Sequence, residues 1–340
     1  MNHIFNYTLT DLVDYLTING GKKYNALQIY EWLYLKKVTT FNAMSNVKQE
    51  LITFLNSQMI IFELKIKQKQ VAKLTTKYLF TLADNNHIEA VLMRHDYGLS
   101  VCISSQVGCN MGCAFCESGR LKKQRDLRAF EMVEQILLIE QDVQERISNV
   151  VIMGIGEPLD NYDNVLKFIR IINEPKGLAI GARHITISTC GLIPQIKQLM
   201  NEDLQINLAI SLHAPNNELR SELMNVNKVY NIEALIAVIK EYIAKTNRRI
   251  TIEYVMIKGI NDSLQEAAAL VHLLKGLNVY VNLIPYNETN HFQYQKSPQT
   301  AVKAFADYLH NNHLVVTVRK EFGTNIAAAC GQLRSKEVEK

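Results

Sequence analysis

The chain has 340 residues, 48% of them hydrophobic and 21% charged, with a formal net charge of +4. That length suits one large α/β unit plus a small accessory unit, and the balance excludes a disordered or fibrous chain. No apolar run approaches the ~18 residues of a membrane span, and the mild positive charge permits contact with phosphate without demanding it.

The amino terminus, MNHIFNYTLTDLVDYL, lacks the basic start and apolar stretch of a secretory signal. A cytoplasmic location is therefore expected, where the six cysteines stay reduced and serve metal binding or catalysis rather than a disulfide framework.

The first sixty or so residues read as helical. Residues 26–37 set Ile29, Trp32, Leu33 and Leu35 on one broad face, and residues 47–55 repeat the pattern. From Val71 to Ser105 the period shortens to that of strands, with KYLFTL, HIEAVLM and LSVCISS separated by Asp-Asn-Asn and Asp-Tyr-Gly turn signals. The strand at 99–105 is counted as the first of about six. Strand-like runs follow at 149–153, 184–188, 206–212, 249–256, 279–285 and 314–319. Helical patterns fall between them near 128–145, 162–173, 192–200, 231–245, 262–276 and 298–311. This alternation predicts βαβ units around a parallel sheet, either a partial barrel or an open doubly wound sheet. A boundary near residue 95 separates an accessory domain, residues 1–94, from a larger domain over 95–334.

The unusual residues gather where strands end. The cysteine-rich loop follows the strand at 99–105, Gly154-Ile155-Gly156-Glu157-Pro158 follows 149–153, and Ser188-Thr189-Cys190-Gly191 ends the next strand. Ser211-Leu212-His213 and Pro285-Tyr286-Asn287 end two more, and Cys330-Gly331 lies beyond the last. In parallel α/β folds the loops at the carboxyl ends of strands converge on one mouth, so these segments are expected to build one site.

Cys109, Cys113 and Cys116 place three thiols on a tight loop that also holds Gly108 and Gly112. Iron–sulfur clusters normally take four cysteines. Three with no nearby fourth suggest a cubane with one iron left open to a ligand. The competing reading is structural zinc, which wants four closed ligands in paired spacing, and no second pair exists here.

VCISSQVGCNMGCAFC, VVIMGIGEPLDN, ARHITISTCG, LAISLHAPN, VNLIPYN and AAACGQL occur in this order. Together they closely resemble the RlmN/Cfr family of radical-SAM RNA adenine methyltransferases, and the resemblance runs from about Ala26 to Leu333. It implies a radical-SAM partial (β/α)6 barrel with a small helical amino-terminal domain that reads RNA. It implies that Cys109, Cys113 and Cys116 hold a [4Fe-4S] cluster, and that Gly156, Glu157, Ser188, Ser211, Leu212, His213 and Asn287 contact S-adenosylmethionine (SAM).

By the same resemblance Cys330 is the S-methylated carrier, Cys102 is the thiol that releases the product through a transient disulfide, and Glu89 is the proton acceptor, a role for which Cys102 stays an alternative. Two SAM molecules serve each turnover, because carbons 2 and 8 of adenine are too weakly nucleophilic to displace a methylsulfonium group directly. The expected activity is methylation of adenine carbon 2 in 23S ribosomal RNA and in transfer RNA. The alternatives are the Cfr-type reaction at carbon 8, which protects ribosomes from antibiotics, and a non-catalytic zinc- or RNA-binding protein. The implied partners are these RNAs and an electron donor such as flavodoxin or ferredoxin, with the enzyme a monomer and no membrane involved.

Cys190 has no role in that scheme and reads as a small neutral residue. Basic runs at Lys122, Lys123, Arg125 and Arg128, and at Arg248 and Arg249, are candidates for phosphate contact. Asn225-Val226-Asn227 stands where relatives usually carry Pro-Ile-Asn, and Asn325-Ile326-Ala327 departs from their Asp-Ile pattern before Cys330.

Overall fold

The computed structural model describes residues 1–289, 291–319 and 331–333. Its amino-terminal part is three helices, α1 (Leu9–Ile18), α2 (Lys23–Tyr34) and α3 (Gln49–Gln58), held at their base by a short parallel pair, β1 (Asn2–His3) with β2 (Met59–Ile60). Helix α1 lies within the first sixty residues read as helical, and its start is fixed by a capping box in which Thr8 and Asp11 exchange side-chain-to-backbone hydrogen bonds. Leu12, Leu16, Ile29, Tyr30, Leu33 and Tyr34 bury the inner faces of α1 and α2.

Four antiparallel strands follow: β3 (Lys65–Val71), β4 (Thr75–Thr81), β5 (His87–His95) and β6 (Gly98–Cys102). The short pair β7 (Gln106–Val107) and β8 (Arg125–Asp126) brackets the cysteine loop and leads to α4 (Ala129–Val143) and β9 (Ile147–Ile152). Then come α5 (Tyr162–Asn173), β10 (Ile185–Thr189), α6 (Ile193–Leu199), β11 (Asn207–Ser211), α7 (Asn217–Leu223) and α8 (Ile232–Thr246). The order closes with β12 (Ile250–Met256), α9 (Leu264–Leu274), β13 (Val279–Pro285), α10 (Gln299–Asn311) and β14 (Val315–Val318).

Strands β3–β6 and β9–β14 form one sheet, and from β6 through β14 every neighbour pair is parallel. Starting at β6, six strand–helix units lead to β14 as the closing strand, the partial (β/α)6 barrel that the resemblance implies. His95 pairs with Gly98, so the chain crosses residue 95 without leaving the sheet. The amino-terminal helices dock onto the barrel through His3, which stacks on Phe130 of α4 at 3.8 Å and contacts the buried Glu134 at 2.6 Å.

The strands alternate strictly. Ile185, Ile187, Leu208, Ile210, Ile250, Ile252, Tyr254, Val281 and Leu283 are buried in the main core. The residues between them, Thr186, Ser188, Asn207, Ser211, Thr251, Glu253, Tyr280 and Asn282, share the opposite face. A doubly wound sheet covers both faces with helices and its strands read as near-continuous apolar runs. Here one face is polar, which a barrel with a usable concave wall accounts for.

Candidate active site

A cavity opens at the carboxyl ends of the parallel strands. Cys109, Cys113 and Cys116 line it together with Gly156, Glu157, Ser188, Ser211 and His213, so residues separated by over a hundred positions meet in one place. Leu212 and Asn287 adjoin two of its lining residues, His213 and Tyr286.

The cysteine loop is held on both sides. Gly108 has φ +77°, and a Cβ there would lie 2.4 Å from the Lys122 carbonyl oxygen, so only glycine lets the two segments meet. The Cys109 N–H donates to the Leu121 carbonyl at 2.8 Å, and the Ala114 N–H donates to the Leu223 carbonyl at 2.9 Å. Asn225, one of the departures from the family pattern, donates through Nδ2 to the Gly112 carbonyl at 3.2 Å.

Burial pushes the Cys109 thiol up to about 12 and the Cys113 thiol well above the ordinary range, with the neighbouring thiols adding to both. Such a set ionises only with a bound cation to take the thiolates. Among the described residues no three His, Cys, Asp or Glu side chains converge closely enough for a single metal ion. Cys109, Cys113 and Cys116 line one cavity and are the residues that would hold an iron–sulfur cluster there. No disulfide joins any two of the described cysteines, Cys102, Cys109, Cys113, Cys116 and Cys190.

The loop after β9 is braced rather than loose. A Cβ on Gly154 would lie 2.6 Å from the Ile103 carbonyl oxygen, and Gly156 has φ +111° with Gln106 equally close. The Glu157 carboxylate accepts from the Leu159 N–H at 3.1 Å and from the Cys190 N–H at 2.8 Å, tying this loop to the end of β10. Burial raises its pKa above the usual carboxylate value, against the lowering effect of those donors. Glu157 is therefore not a surface acid, and Cys190, which lines the cavity, is tied to it through its backbone N–H.

His213 sits at the end of β11 with φ +61° and accepts from the Val255 N–H through Nδ1 at 3.0 Å. Burial, and then the charge of Arg220, hold its pKa down to about 3, so the ring is neutral. Arg220 of α7 is wholly buried and has no carboxylate partner among the described residues. Its guanidinium donates to the carbonyls of Cys190 at 2.7 Å, Ser211 at 3.2 Å and Leu212 at 3.2 Å, and to Asn227 Oδ1 at 3.0 Å. It stitches the ends of β10 and β11 together under the cavity. Sequence reasoning missed it, because an arginine on a short polar helix carries no mark of burial. Glu253 of β12 was missed too, although an acid inside the apolar run ITIEYVM was a usable signal.

Cys102 lies in a small apolar cluster with Val91, Met93, Ile155 and Leu333, against which Met153 of the cavity wall packs. Glu89 is buried in an ion pair with Lys77, Oε1 to Nζ 3.2 Å, and Lys77 also escaped the sequence reading. Ser104 Oγ donates to the Glu89 carbonyl at 2.6 Å and accepts from the Ile155 N–H at 3.0 Å, linking β5 to the glycine-rich loop. Cys330 lies outside the described residues. Its successor Gly331 lines the cavity and accepts from the Glu117 N–H at 2.8 Å, and the Leu333 carbonyl accepts from Ser118 Oγ at 2.8 Å. The segment after Cys330 thus runs from the cavity to the Cys102 cluster.

Residues 103–271 match the radical SAM superfamily, and residues 2–61 match the ribosomal RNA large subunit methyltransferase N-terminal domain. A Listeria monocytogenes serovar 1/2a protein named as a probable dual-specificity RNA methyltransferase RlmN is 53% identical, over 99% of this chain and 94% of its own. A protein of the same name from Enterococcus faecalis is 52% identical, over 99% of this chain and 97% of its own. The crystal structure of a radical SAM methyltransferase from Sphaerobacter thermophilus superposes with a TM-score of 0.94 at 39% identity, covering 98% of this chain and 99% of that one.

Proposed function

The chain belongs to the RlmN/Cfr family of radical-SAM RNA methyltransferases, and on that premise we propose that it methylates carbon 2 of an adenosine in 23S ribosomal RNA and in transfer RNA. The observation that carries this reading is the convergence at one cavity of three thiols, the glycine-rich loop and the residue next to Cys330. When bound, the iron–sulfur cluster and SAM supply the electron and the radical chemistry that an unreactive aromatic carbon requires.

The chain's own residues divide the remaining work. Cys109, Cys113 and Cys116 hold the cluster. Gly156, Glu157, Ser188, Ser211, Leu212, His213 and Asn287 hold SAM, with two molecules used per turnover. Cys330 carries the methyl group as a thioether, and its carbon becomes bonded to the base. Glu89 takes the proton from the ring carbon. Its carboxylate pairs with Lys77 at 3.2 Å. The Cys102 thiolate then attacks the sulfur of Cys330 and breaks its bond to the new carbon, which takes up a proton to become the methyl group, so that the methylated RNA leaves and a transient disulfide remains.

Residues 1–94 form the accessory domain that reads RNA, and residues 95–334 the catalytic barrel. The same reading makes the enzyme a cytoplasmic monomer reduced by a flavodoxin or ferredoxin; among the described residues no helix is long and apolar enough to cross a membrane. The test is mass spectrometry of nucleosides from cells with and without the gene. Carbon-2 methyladenosine that disappears with the gene supports the reading, carbon-8 methyladenosine moves it to the Cfr reaction, and no change in either nucleoside overturns it.

A further inference from the structure

At the other end of the barrel from the cysteines lies a second cleft. Arg183, Arg248 and Arg249 line it, with Thr186, Asn207 and Tyr280 among its other walls, and no carboxylate does. Arg183 precedes β10, and Arg248 and Arg249 precede β12, so the three stand at the amino ends of their strands.

Three arginines brought together for stability would be expected to hold acids between them. These have only neutral partners among the described residues: Arg183 reaches Gln205 Oε1 at 3.4 Å and Arg248 reaches Asn207 Oδ1 at 3.3 Å. Arg249 lies over the ring of Tyr280, 5.2 Å from its centroid. Burial, and then the like charge of Arg183, push Arg248 below its ordinary value. The folded chain tolerates this repulsion, which an anion would relieve.

The cleft shares a wall with the active cavity. Thr186 and Ser188 are two apart on β10, Thr251 and Glu253 two apart on β12, so each pair points to one face of the sheet. Ser188 and Glu253 line the upper cavity, Thr186 and Thr251 the lower cleft. From Thr251 to Val255 the strand climbs about 13 Å at ~3.3 Å per residue, a distance that a short single-stranded stretch spans.

Resting on the RNA-methylating reading, we propose that this cleft is a second contact for the substrate RNA: its arginines grip backbone phosphates of the strand whose adenosine enters the barrel, and Tyr280 under Arg249 gives a flanking base a surface to stack on. Guanidinium forks match phosphate oxygens, and an aromatic ring beside a cation suits a base of any sequence.

The probe is a labelled RNA hairpin that the parent holoenzyme methylates, titrated at several salt concentrations. Each lost phosphate contact flattens the log–log salt dependence by ~0.7 for single strands, so Arg183→Gln with Arg249→Gln should flatten it by about 1.4 and weaken binding about tenfold at low salt. KM should rise with kcat kept, and Arg183→Lys with Arg249→Lys should keep most of the slope. Iron content and melting temperature check that both variants fold, as expected for two exposed side chains. Parental affinity and slope in the glutamine variant overturn the proposal. So does a cleft that binds inorganic phosphate in the parent only, while hairpin affinity stays unchanged. A parent that methylates no RNA fails the underlying reading before any variant is made.

Discussion

Replacing Arg220 with methionine tests whether the floor of the active cavity depends on one buried cation. The substitution keeps much of the volume and removes every donor. It strands the carbonyls of Cys190, Ser211 and Leu212 and the Asn227 side-chain oxygen, which Arg220 now serves at 2.7–3.2 Å. Each stranded buried acceptor costs about 1–3 kcal/mol. Against that, the variant escapes the desolvation of a guanidinium with no carboxylate beside it, several kcal/mol in the other direction. The expected net loss is about 4 kcal/mol, the size seen when a buried charged group is deleted from its network. With an unfolding entropy of ~2.1 cal/mol/K per residue over 340 residues, that loss lowers the melting temperature by roughly 5–6 °C. Arg220→Lys keeps the charge but not the planar fork, and should fall between parent and methionine variant. Differential scanning calorimetry of the three proteins, with iron content measured in parallel, is the assay. An Arg220→Met protein that melts within about 1 °C of the parent would refute the claim that this side chain holds the ends of β10 and β11 in place.

Cys109→Ala, Cys113→Ala and Cys116→Ala should each lose the cluster and abolish reductive SAM cleavage, read as iron content and deoxyadenosine. Full cleavage by any one of them removes that residue from the cluster. Cys102→Ala should accumulate a ribonuclease-sensitive protein–RNA adduct on a denaturing gel, because the carrier still reacts and nothing releases it; normal turnover would make Cys102 structural. His213 titrates near 3 in the fold against 6.5 in an unfolded chain, so between those values only the unfolded state takes up the proton and stability falls as pH falls. His213→Asn should remove up to about 1.4 kcal/mol per pH unit of that slope, measured by denaturant unfolding between pH 3.5 and 6.5; an unchanged acid limb would mean that the ring is already protonated in the fold.

Most of the elements and the candidate residues of the site were legible in the sequence. Strand alternation around ITIEYVM and VYVNLIP, and helical periodicity between such runs, follow from which side of each element meets the core, a local property. Cys109, Cys113 and Cys116 were legible because their spacing lies within a single loop, and Gly154 and Gly156 because they mark a turn at a strand end. Partners far apart in the chain meet only once it is folded. Lys77 could not be paired with Glu89, nor Glu157 with the Cys190 N–H, until the sheet brought β4 beside β5 and β9 beside β10. Arg220 looked like any arginine of a surface helix, and its burial follows from where α7 lands on two strand ends. The choice between partial barrel and doubly wound sheet also waited, because alternation says that one strand face is polar but not whether those faces curve toward each other. They do, and the same curvature that gathers the cysteines at one end of the concave wall gathers Arg183, Arg248 and Arg249 at the other.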